Sequence, residues 1–388
     1  MTTDWTAIRR RLAIRGRAHR PPWGGRKPAG HRSILAPIAA TFAATFAVTA
    51  GVALANAERK RRSARQRRRD RRLGLNPGEH LADALPRMAL GQVDLMLELL
   101  AHEDPADAAT TVHEVRKALK RLRALLRLLE HQLGGPELAR ESQALRNTAQ
   151  RLSGARDAEV MLATLNALIA RHPRKLARRP AVRQLRKRLL AEQARVEHIT
   201  LGEPIARAVL MAELQRFRRQ VLAWQLAHRP GIALVESDLI RLYTQGRKRH
   251  LRILRSKGNQ TIPLHQWRKR VKDLRYAAEI LQRRDTAKRS HAQQRLRQLA
   301  RRADTLSELL GQDHDLALLA QNLHTADKRP HSRDGRPEGP RTWRMKPKTR
   351  KLLLKAIAKR RRELQKRALR DGARLYRHSP RKFLSRIS

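Results

Sequence analysis

Cysteine is absent from the chain. That excludes disulfides, cysteine-ligated zinc and thiol catalysis, and it fits a reducing compartment. Aromatic side chains are scarce, with five Trp, three Tyr and four Phe in 388 residues. Readers of single-stranded nucleic acid normally offer aromatic stacking platforms, and little material exists here to build them. Acidic side chains are also short, 34 against 88 Lys and Arg, which leaves a formal net charge of +54. No fold needs that much self-repulsion, so the balance points to a polyanionic partner: nucleic acid, anionic lipid or inorganic polyphosphate. The sequence also lacks a Walker loop, a dinucleotide fingerprint, an H-E-x-x-H helix and a nucleophile elbow. The expectation is a protein that is not an enzyme and takes no cofactor.

What is present is Leu, Ala and Arg, with 40% hydrophobic residues in all. This is the composition of an all-α helical bundle rather than of a sheet. The stretch VHEVRKALKRLRALLRLL (residues 112–129) returns as LHQWRKRVKDLRYAAEIL (residues 264–281). With His113 set against His265, Arg116 meets Arg268, Lys117 meets Lys269, Lys120 meets Lys272 and Arg123 meets Arg275. The repeat implies two pseudo-equivalent halves. At roughly 100° per residue, the cations of each copy fall on one side of the helix. Val115, Leu119, Leu122, Leu125, Leu126 and Leu129 fall on the other, as do Trp267, Val271, Leu274, Ala278 and Leu281. A solvated charged face would ordinarily mix signs to gain i,i+4 pairs. These stripes are nearly all one sign, a costly arrangement unless an anion answers it.

In chain order, residues 1–32 are basic and rich in Pro and Gly, and read as disordered. Residues 33–57 carry no charge and are long enough to span a bilayer. They read first as a transmembrane helix, and otherwise as a buried or interfacial helix or a signal peptide. Residues 58–80 read as a polybasic linker, whose cations would rest on anionic headgroups or simply be solvated. From 81 to 378 the pattern predicts helices near 83–101, 107–132, 137–171, 180–200, 204–228, 236–255, 263–284, 286–324 and 349–376. The halves fall at about 81–230 and 236–378. A Pro- and Gly-rich loop over 325–348 reads as mobile, and the tail after Pro380 reads as loose.

With the paired H-x-x-R-K-x-x-K-x-x-R helices in view, the chain resembles the CHAD family, the conserved-histidine α-helical domain. The likeness rests on the two repeat helices and on LSGARDAEVML (152–162), answered by LLGQDHDLALL (309–319). It rests also on LYTQGRKRHLRILR (242–255) and RMALGQVDLMLELL (87–100). The resemblance implies two four-helix bundles about a pseudo-two-fold axis, with basic faces meeting at a central cleft. It also implies a non-catalytic domain that binds inorganic polyphosphate. The E-x-E-x-K signature of the tunnel hydrolases often fused to this family does not occur here. One departure is Ala124, which stands where the second copy has Tyr276.

A flexible polyphosphate strand is matched by Lys point charges and planar Arg donor forks at repeated spacing. The candidates are Arg116, Lys117, Lys120 and Arg123 with Arg268, Lys269, Lys272 and Arg275, seconded by Arg247 and Arg252. Arg127 extends the first stripe, but its counterpart is Glu279. His113 and His265 are either phosphate donors that bind more tightly when protonated or structural groups at helix ends. Asp157, Asp313 and Asp315 beside His314 resemble a metal set only loosely, and the three carboxylates are expected to cap helices and brace the basic helices. An anionic membrane surface is a further expected partner, with nucleic acid as a non-specific competitor. The alternative function is nucleic-acid binding. The expected location is polyphosphate granules, or the cytoplasmic face of the inner membrane through a single N-terminal helix.

Overall fold

A computed structural model describes residues 72–101, 108–202, 204–256, 258, 260–282, 290–325 and 345–387. The expected disordered N-terminus, the candidate membrane helix, most of the linker and nearly all of the 325–348 loop lie outside them. Among the described residues the architecture is all-α. Ten long helices follow one another: α1 (Leu81–Ala101), α2 (Ala108–Leu128), α3 (Pro136–Arg151), α4 (Ser153–Arg171), α5 (Pro180–Gly202), α6 (Pro204–Leu222), α7 (Glu236–Arg255), α8 (Thr261–Ile280), α9 (His291–Thr325) and α10 (Pro347–Leu375). No helix among the described residues is long and apolar enough to cross a membrane.

The repeat helices are α2 and α8, and the apolar side read from the sequence is the core side. Val115, Leu119 and Leu122 are fully buried on α2 and Leu129 just past its end, as are Trp267, Val271, Leu274 and Ala278 on α8. Each helix packs against the one before it, α2 on α1 and α8 on α7. The two repeat helices also pack on each other, and α4 packs on α9. Gly372 makes room for the largest core side chain. A Cβ there would lie 2.6 Å from the Trp267 ring, so α10 approaches α8 closely only because that position is bare.

Three expectations are corrected. The helix expected over 137–171 is broken at Leu152 (φ −86°, ψ 7°), which separates α3 from α4. Its counterpart α9 runs unbroken for 35 residues. Residues 72–80 are not a free linker. Arg87 holds them by donating to Glu79 at 2.6 Å and to the carbonyls of Arg72 and Gly74, while Arg72 reaches Asp94 and Glu98. The tail after Pro380 is not loose either: it makes a helical turn, Pro380–Leu384, that seats Phe383 and Ile387 in the core.

Candidate functional site

The basic sides of α2 and α8 face one another across an open furrow of about 520 Å³. Lys120, Arg123 and Arg127 line it from α2, and Lys269, Arg270, Lys272, Asp273 and Tyr276 from α8. Arg146 of α3 and Arg241 and Gln245 of α7 complete the walls with Glu130. Eight cations thus stand against two carboxylates. Two adjoining hollows, of about 340 and 290 Å³, share Arg123 and Arg146 with the furrow, and the first of them adds Arg116.

One carboxylate is a clasp. Asp273 of α8 accepts from Arg127 of α2 at 2.5 Å and pairs with Arg270 at 3.2 Å. This acid joins the two repeat helices and is spent on structure. Arg241 is paired as well, with Glu130 and Asp238 at 2.8 Å each, whereas Arg123 and Lys272 feel their neighbours' positive charge. Burial and the charges of Arg127 and Arg146, only partly offset by Asp273, lower Arg123 to about 10. Burial, then Arg268 and Lys120, lower the Lys272 ammonium to about 7, against the weaker pull of Asp315. Burial is the larger cause and the neighbouring cations add to it, so an anion brought to Lys272 would favour its charged form.

The eight paired candidates do not share one task. Lys120, Arg123, Lys269 and Lys272 line the furrow, and Arg116 the hollow beside it. Arg116 also donates to the carbonyls of Ala149 (3.2 Å) and Leu152 (2.6 Å), which the break between α3 and α4 leaves available. Arg268, its counterpart, lies beside Gly311 of the unbroken α9, where a Cβ would be 3.7 Å from the guanidinium. Its Nε is buried with no hydrogen-bond partner. Lys117 pairs with Glu114 at 3.3 Å. Arg275 is tied to Glu279 (2.7 Å) and Asp304 (2.5 Å), which raise its pKa against burial. The α8 stripe is therefore less free of acids than its pattern suggested.

Neither residue chosen from α7 lines the furrow. Arg247 donates from Nε to the Tyr376 carbonyl at 3.3 Å, satisfying the end of α10, and Arg252 is exposed. Arg241 and Gln245 do the lining, and the sequence held a signal for them. Residues 239, 242, 243, 246, 250 and 253 are the buried face of α7, which turns 241 and 245 to the opposite side. Arg146 and Arg270 were likewise missed, because neither belongs to the repeated motif.

The two motif histidines differ. His113 is exposed. His265 places Nδ1 3.2 Å from Nδ1 of His314, with the rings 4.2 Å apart. Burial, followed by the charges of neighbouring cations, lowers His265 and takes His314 to about 3. The pair is thus neutral at neutral pH and ties α8 to α9. Asp313 is not a helix cap: it sits buried within α9 and accepts from Arg361 and Gln365 of α10. Among the described residues no group of three or more His, Asp or Glu is placed to hold a metal ion.

A family model for the CHAD domain matches residues 92–324. The chain belongs to the CHAD domain family. The structure is similar to that of the CHAD domain from the plant Ricinus communis, with TM-score 0.53 and 20% identity over 78% of this chain and 94% of that one. It is also similar to PptA from Streptomyces chartreusis, with TM-score 0.51 and 16% identity over 77% of this chain and all of the other. At these identities the likeness concerns the fold. No curated protein matches the chain.

Proposed function

We propose that this CHAD domain binds inorganic polyphosphate along the furrow between α2 and α8 and does not catalyse its turnover. The observation that carries the reading is the convergence of both repeated stripes, through Lys120, Arg123, Lys269 and Lys272, on one cavity with eight cations and two carboxylates. A strand with a charge on every phosphate can occupy such a furrow along its length, displacing counterions as it does so. Arg146, Arg241 and Arg270 add donor forks at the walls. Arg116 and Arg275 act from behind, Arg116 by tying α2 to the carbonyls between α3 and α4. The helix contacts support a pseudo-two-fold arrangement of two bundles, in which α2 answers α8 and α4 answers α9. The uncharged stretch 33–57 would tether the domain to a membrane, or the domain would be recruited to polyphosphate granules.

Nucleic acid is the competing ligand, and a competition titration separates the two. Long-chain polyphosphate is expected to displace duplex DNA at a low molar ratio, because the furrow offers charge but only Tyr276 as an aromatic surface. Displacement of bound polyphosphate by DNA would sink the reading. Salt dependence alone decides nothing, since both complexes weaken with salt. Release of orthophosphate from polyphosphate with Mg²⁺ or Mn²⁺ would contradict the non-catalytic part.

A further inference from the structure

We propose that a second anion site, separate from the furrow, takes a single phosphate dianion in the cleft where the start of α9 meets the end of α10. The cleft measures about 60 Å³ and shares no lining residue with the furrow. Arg295 and Arg302 line it from α9, Arg374, Arg377 and His378 from the end of α10, and Arg386 from the segment beyond. Its apolar wall is Leu299, Leu375, Phe383 and Ile387, all buried. Guanidinium groups over an apolar wall make a site in which each charge-assisted bond is stronger than in open water. A cavity of roughly 10–15 Å³ on this measure holds one water, so the cleft suits a group of about four oxygens, such as a tetrahedral oxyanion.

Ordinary structural work does not account for five arginines here. The carbonyls at the end of α10 are already served from α7: Arg247 donates to that of Tyr376 and Tyr243 to that of His378. Arg295 spends one donor on the Arg386 carbonyl at 2.8 Å, and Arg377 spends Nε on His378 at 2.9 Å. The carboxylate that answers is Asp371, 3.7 Å from Arg374, whose side chain is 71% exposed. Arg295, Arg302, Arg374 and Arg377 are exposed and Arg386 is half-buried, so the cleft opens to solvent and an ion can reach it directly. His378 feels the cluster from every element around it. After desolvation, Arg377, Arg386, Lys382 and Arg302 lower its pKa. An anion seated among them would reverse that shift.

The test uses the full chain in phosphate-free buffer, titrated calorimetrically with inorganic phosphate and, separately, with tripolyphosphate. Two double variants are compared: R302Q/R377Q in the cleft and K120Q/K272Q in the furrow. Phosphate affinity is expected to fall about tenfold or more in the cleft variant, the loss of about one charge-assisted bond. It should change less than about twofold in the furrow variant. Wild-type affinity in the cleft variant, or equal losses in both, would overturn the site and leave only diffuse attraction. R377K, which keeps the charge and loses the fork, guards against misfolding and should weaken phosphate measurably. Stoichiometric displacement of phosphate by tripolyphosphate would identify a chain end as the occupant, and its absence a free ion. Loss of long-chain polyphosphate binding in K120Q/K272Q with phosphate binding intact, or loss of phosphate binding in R302Q/R377Q with furrow binding intact, distinguishes failure of one site from failure of the other.

Discussion

The two repeat helices carry almost the same string of cations and use it differently. On α2 the first arginine, Arg116, finds backbone carbonyls where α3 gives way to α4. On α8 its counterpart Arg268 lies beside Gly311 of the unbroken α9. At the third position the copies agree, since Lys120 and Lys272 both line the furrow. At the fourth they part: Arg123 stands among cations, while Arg275 is held by Glu279 and Asp304. The lesson is that a sequence repeat guarantees equal placement on a helix, not equal electrostatic surroundings. The surroundings come from non-repeated residues, here Asp304 of α9 and Arg146 of α3.

The largest effects test where the copies are alike. Leu122 and Leu274 are each fully buried on the core side. L122A and L274A should each lose about 2–5 kcal/mol in denaturant unfolding. A loss below about 1 kcal/mol at either position would mean that one copy is not core. The next effect tests where they differ. R123A should weaken polyphosphate binding about tenfold, while R275A, whose charge is already answered, should change it by less than about threefold. Equal losses would erase the distinction drawn here.

The smallest effect is one of pH. The Lys272 ammonium is lowered to about 7 in the folded chain from its ordinary value of 10.5. Between those values the unfolded chain binds the extra proton, so this residue's contribution to stability rises with pH over that range. It is lost as pH falls from about 10 through 7. K272M should therefore be more stable than the wild type at pH 6, with the advantage shrinking toward pH 10. Polyphosphate should also bind with proton uptake between pH 7 and 8.5, seen as a dependence of calorimetric enthalpy on buffer ionisation enthalpy. Without such uptake, Lys272 would not face the bound strand.

Much of this was legible in the sequence, and the limits have physical reasons. The apolar stripes of 115–129 and 267–281 gave the buried faces, because helical periodicity alone decides which side packs. The duplication paired Lys120 with Lys272, and their meeting at one furrow was what the family resemblance implied. The break at Leu152 was not legible, since LSGARD has no proline and the glycine it shares with LLGQDH leaves α9 unbroken. Arg247 lies off the furrow because its position on α7 is beside the buried face rather than opposite it. Residues 72–80 and 380–387 were read as polar ends, although Leu75, Phe383 and Ile387 are enough to seat them.

The most direct measurement is lysine acetylation footprinting, with and without long-chain polyphosphate. Lys120 of α2 and Lys272 of α8 line the furrow, whereas Lys351, Lys355 and Lys359 lie exposed on α10. The account predicts that Lys120 and Lys272 become protected together at low polyphosphate, while the α10 lysines remain reactive until the excess is large. Protection of only one of the two, or of the α10 lysines at the same concentration, would contradict a shared furrow.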